Sequence, residues 1–95
     1  MDKIRFEWDE NKNQINIDKH GISFEEAMTV FYDPDALVTH DEDHSDDEDR
    51  FLILGISEAL HLLIVCHCYR EENETIRIIS ARKANKTEAR QYYIL

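Results

Sequence analysis

Two arginines, Arg77 and Arg82, frame the stretch Ile78-Ile79-Ser80-Ala81. Guanidinium groups are costly to bury, so within a strand they must meet a surface, a partner or an acid. Their planar fork of donors suits phosphate. Lys83, Lys86 and Arg90 follow and extend the positive patch. Tyr92 and Tyr93 add aromatic faces on which a nucleobase can stack. The bland counterpart is a set of structural ion pairs to Glu25, Glu26 or Glu88. Strand side chains alternate, and positions 77 and 82 have opposite parity. Both reach one face only if a bulge or the strand end re-aims one of them.

Three other groups could do chemistry. Lys19 and His20 precede Gly21 at the end of a helical segment. Cations there suit the helix dipole, and a histidine can also move protons near neutral pH. Cys66, His67 and Cys68 are zinc-ligating types, but alternation points His67 away from both thiols. Buried core cysteines are the expectation, and a disulfide between residues two apart in a strand is geometrically disfavoured. Seven acids crowd residues 41–49, without the glycine and spacing of an EF-hand. A solvated loop, or one that faces a basic partner, accounts for them. The expectation is therefore no metal and no cofactor.

Positioning these groups requires a small α+β domain. Residues 4–8 alternate as a short strand. Asp9 can cap a helix to about Lys19, closed by Gly21; its polar face carries Lys12, Asn16 and Lys19. Ser23 and Glu26 form a capping-box pattern before a helix over 24–31, with Phe24, Ala27, Met28 and Phe31 as its core face. Asp33-Pro34 stops it. Strands are expected over 36–39, 51–56, 60–69 and 75–81, with hairpin-length links between the last three and an antiparallel sheet. Asn85 and Glu88 start a last helix over 86–93.

The 95 residues are one domain's length, read here as 1–95. The net charge of −10 opposes nucleic-acid binding, but the acid is concentrated in 41–49, whereas Lys and Arg lie mostly in the first twenty residues and from Arg70 onward. Reduced thiols suit the cytoplasm. Residues 1–9 are too charged for a signal, and the apolar run 62–66 is too short to span a membrane.

The chain resembles a known family in two separated stretches. Phe6-Glu7-Trp8-Asp9, Lys12, Asn16 and Lys19-His20-Gly21-Ile22-Ser23-Phe24-Glu25-Glu26-Ala27 look like the opening of the BrnT toxins. Arg50, Gly55, the run from Arg77 to Ala84, Glu88 and Tyr92 or Tyr93 are similar to its close. The resemblance implies a RelE-like fold: strand, two helices, four-stranded antiparallel sheet, C-terminal helix. It implies a metal-independent endoribonuclease of a type II toxin–antitoxin pair, which inhibits growth and is neutralised by a BrnA-like ribbon-helix-helix antitoxin. Operator DNA would be reached only through that antitoxin. On this reading Lys19, His20, Arg77, Arg82 and Tyr93 are the catalytic candidates. Arg50, Arg70, Lys83, Lys86 and Tyr92 are candidate RNA contacts. The alternative is a weak or inactive module that binds the antitoxin and acts as co-repressor of the operon.

Overall fold

The computed structural model describes residues 4–94; the first three residues of the charged N-terminal stretch lie outside them. Along the chain come β1 (Arg5–Glu7), α1 (Glu10–His20), α2 (Phe24–Thr29), a 3-10 turn (Val30–Tyr32), β2 (Leu37–His40), a second 3-10 turn (Glu42–His44), β3 (Phe51–Ile56), β4 (Leu62–Arg70), β5 (Thr75–Lys83) and α3 (Lys86–Tyr93). One five-stranded sheet has the order β1-β5-β4-β3-β2. Strands β2 to β5 are antiparallel neighbours, and β1 joins β5 in parallel. The sheet is thus mixed: the N-terminal strand adds a fifth member to the expected four.

The helix ends follow local chemistry. Asp9 accepts from the Asn11 and Lys12 amides, and Gly21 closes α1 at φ 72°, a left-handed conformation that costs glycine little. Asn85 and Glu88 exchange both bonds of a capping box. At Ser23 only half a box forms, because the Glu26 carboxylate is drawn instead to Ser57 Oγ and His61 Nδ1, at 2.6 and 2.7 Å. α2 ends at Thr29 and tightens into the 3-10 turn before Pro34. β4 begins at Leu62 rather than at residue 60, since Leu60 is exposed in the hairpin at φ 64°. β5 runs on to Lys83, which places Arg82 inside the strand.

One face of the sheet carries the core. Ile53, Leu63, Val65, Ile78 and Ala81 pack under Ile22, Phe24, Ala27 and Val30. Gly55 permits the close approach of that layer: a Cβ there would lie 2.9 Å from Val30 Cγ1. α1 docks against expectation. Asn16 was placed on a polar face, yet Asn13 and Asn16 are its buried residues and Ile15 is exposed. The reason is hydrogen bonding. Asn13 Oδ1 accepts from the Phe24 amide, and Asn16 donates to the carbonyls of Ile22 and Ala81, both at 2.8 Å, while accepting from the Ala81 amide. Beyond Arg77, β5 has lost its β1 neighbour, and Asn16 takes the place of a strand at that open edge.

Candidate functional site

The parity conflict between Arg77 and Arg82 is resolved by a bulge. Cys66 pairs with Ser80, and His67 pairs with Ile78, so Ile79 is an extra residue without an opposite. Arg77 then lies opposite Cys68, and Arg82 opposite Ile64. Cys68 and Ile64 share the face away from the helices, so both arginines do too. Five residues of extended chain separate them by about 15 Å, a distance that suits different phosphates of one strand rather than a single phosphate.

Each arginine on this face has its own carboxylate. Arg77 Nη1 donates to Glu7 Oε2 at 2.8 Å, across the β1–β5 register. Arg82 makes a two-pronged bond to Glu88, both contacts at 2.8 Å. The Arg82 fork holds the Glu88 carboxyl below the usual carboxylate range. Arg70 pairs with Glu48 at 3.4 Å. Ion pairing was one of the two expectations for these arginines; Glu88 is among the acids anticipated, whereas Glu7 and Glu48 were missed. The alternation of residues 4–8 puts Glu7 opposite Phe6, but nothing local signals that β1 pairs with β5.

The expected cations divide into two groups. At the Arg82 end of β5, Lys83 and Lys86 are exposed and have no ion pair among the described residues. α1 is pinned to Ala81 through Asn16, and Lys19 and His20 follow Asn16 by about one helical turn. Both are exposed, at the end of a helix that Asn16 ties to the β5 edge at Ala81, the residue before Arg82. At the other end lie Arg77 and Arg70. Arg50 closes the acidic loop, its amide donating to Ser45 Oγ at 3.0 Å and its Nε buried without a partner.

The two tyrosines differ. Tyr92 donates to Asp33 Oδ2 at 2.6 Å, and burial together with that carboxylate pushes its phenol up. Tyr93 is 62% exposed, with its ring edge-on to that of Tyr92. Cys66 and Cys68 are free and buried on the arginine face; burial pushes the Cys66 thiol up to about 11, which makes it a poor nucleophile. His67 points to the opposite face, fully buried. Among the described residues no three His, Cys, Asp or Glu side chains converge as a metal site needs, and no helix is long and apolar enough to cross a membrane.

What this face can do chemically is hold a polyanion along β5, through Arg77, Arg82 and Arg70. Comparison with known proteins shows the family. Residues 8–88 match the family described as ribonuclease toxin, BrnT, of type II toxin–antitoxin systems. The structure superposes on the crystal structure of the Brucella abortus ribonuclease toxin BrnT with a TM-score of 0.66 and 27% identity, covering 88% of this chain and 100% of that one. A search of curated proteins gives no match. The chain belongs to the BrnT family of ribonuclease toxins of type II toxin–antitoxin systems.

Proposed function

We propose that this chain is an active, metal-independent endoribonuclease that arrests growth in the cytoplasm until a BrnA-like ribbon-helix-helix antitoxin binds it. The single observation that carries the reading is the bulge at Ile79, which turns Arg77 and Arg82 to one face. RNA runs along β5 on that face. Arg82 is assigned to the scissile phosphate, because Asn16 ties α1, which ends in Lys19 and His20, to Ala81 beside it. Arg77 holds a neighbouring phosphate. The 2′-hydroxyl attacks the adjacent phosphorus, the P–O5′ bond breaks, and the products carry a 2′,3′-cyclic phosphate and a 5′-hydroxyl. Arg82 and Lys19 stabilise the charge that grows on the phosphorane. His20 accepts the 2′-hydroxyl proton as the O2′–P bond forms and returns it to the leaving 5′-oxygen. Tyr93, the exposed tyrosine, stacks on a base, while Tyr92 holds Asp33. Lys86, Arg70 and Arg50 contribute positive charge along the path, and Lys83, opposite Leu63 in the register, adds its charge from the other face of the strand end.

A second reading has its own observation. Arg77, Arg82 and Arg70 are already neutralised by Glu7, Glu88 and Glu48, and the chain as a whole carries −10. A face satisfied internally suits a module that binds the antitoxin and assists repression without cutting RNA. Expressing the chain alone separates the two. The nuclease arrests growth and leaves cyclic-phosphate ends with EDTA present; the module does neither.

A further inference from the structure

The end of the sheet opposite β1 is open. β2 is the last strand, all four of its residues are exposed, and Leu37 and Val38 retain 44% and 53% of their surface. The register shows which backbone groups face outward. Ala81 turns its amide and carbonyl to Asn16, away from β4, so the Val65–Ala81 pair is not hydrogen-bonded to itself. Bonding roles alternate across an antiparallel sheet. Val65 therefore bonds Ile53, and Val38, opposite Ile53, turns its amide and carbonyl outward. His40 does the same. Two independent bonds agree with this phase: the Ile56 amide, on the β2 side, goes to Asp33, and the Asp41 amide turns inward to the Arg50 carbonyl.

Open edges are commonly blunted by lysine, proline or a bulge, and β2 has none of these. It runs instead directly into the seven acids of residues 41–49. His40 links the two, its Nε2 lying 3.2 Å from Asp49 Oδ1. Beyond it, Glu48, Asp49, Phe51, Tyr69 and Asn73 line a depression where carboxylates stand beside aromatic rings, a setting that suits a lysine or arginine side chain.

We infer that β2 is a docking edge for an extended, basic segment of a partner protein, which adds a sixth strand through Val38 and His40 and lays its cations on the acidic loop. A second copy of this chain is disfavoured there, because it would bring up a partner with the same net charge of −10. The inference rests on the toxin–antitoxin reading for the identity of the partner: the DNA-binding antitoxin supplies the basic segment.

The test uses the whole chain and the ribbon-helix-helix protein encoded beside it. Val38→Pro removes one outward amide and leaves the β2–β3 ladder untouched, whereas Val38→Ala keeps the amide. Val38→Pro should weaken binding at least about tenfold, and Val38→Ala far less. Asp46→Asn with Asp47→Asn should slow association and flatten its salt dependence. Amide exchange on the wild-type complex reads the same edge without a substitution: Val38 and His40 should become protected. Unchanged exchange at both amides, or equal affinity of a folded Val38→Pro chain, overturns the docking edge while leaving the antitoxin reading in place. No complex with the wild-type chain overturns both.

Discussion

The two faces of β4 and β5 are built on opposite terms. Toward the helices, Leu63, Val65, Ile78 and Ala81 are at most 2% exposed and touch apolar neighbours. On the far side, the same strands present Arg70, Arg77 and Arg82, each held by a carboxylate, beside the buried Ile64, Cys66 and Cys68. Stability comes from the first face, and the second is the one along which the proposed RNA path lies. One inserted residue, Ile79, lets β5 serve both, by resetting alternation between Arg77 and Arg82.

Substitutions on the two faces should therefore separate stability from function. Ile78→Ala, on the dry face, should lower unfolding free energy by about 2–5 kcal/mol in chemical denaturation, with RNA affinity of the still-folded fraction unchanged. Asn16→Ala strips the open edge of β5 of its substitute strand and leaves the buried Ala81 groups unpaired. A loss of about 2–3 kcal/mol is expected, together with slower RNA cleavage as the end of α1 drifts from Arg82. If Asn16→Ala lowers stability and leaves cleavage unaltered, Lys19 and His20 have no place in the site.

The dry face also carries a titration. His67 is fully buried among Phe31, Phe51 and Tyr69, its Nδ1 3.2 Å from the Val65 carbonyl and its Nε2 unpartnered. Burial lowers its pKa in the folded state, so the unfolded chain takes up the proton first. Its contribution is full above the unfolded value of about 6.5 and is lost as pH falls from there toward the folded pKa. Thermal melts across that range should show this decline, and His67→Phe should remove it. The smallest effect is expected at Glu88→Gln. It should cost about 1 kcal/mol or less through the weakened cap, yet tighten RNA binding as Arg82 is freed. Weaker RNA binding by that variant would contradict the picture of Arg82 as a phosphate site occupied by an internal acid.

Much of this was legible in the residues themselves. Asp9, Gly21 and Asn85 mark helix ends through local geometry, and the strands from β3 onward follow from apolar runs between turns. The parity of residues 77 and 82 even asked for the bulge. What stayed hidden depends on distant pairing. Nothing near Glu7 reveals that β1 runs parallel to β5, so the Arg77 partner could not be named. Asn16 looked like surface because its worth lies in bonds to Ala81, 65 residues on. Tyr92 and Tyr93 were indistinguishable until Asp33 claimed one of them.

The proposed nuclease depends most on Arg82, which would stabilise the charge formed at the scissile phosphate. Single-turnover cleavage of RNA in EDTA, wild type against Arg82→Ala at matched folding, tests it most directly. The account predicts cyclic-phosphate products from the wild type and a rate on the order of 10²–10³ lower for the variant. Equal rates from the two proteins would contradict it.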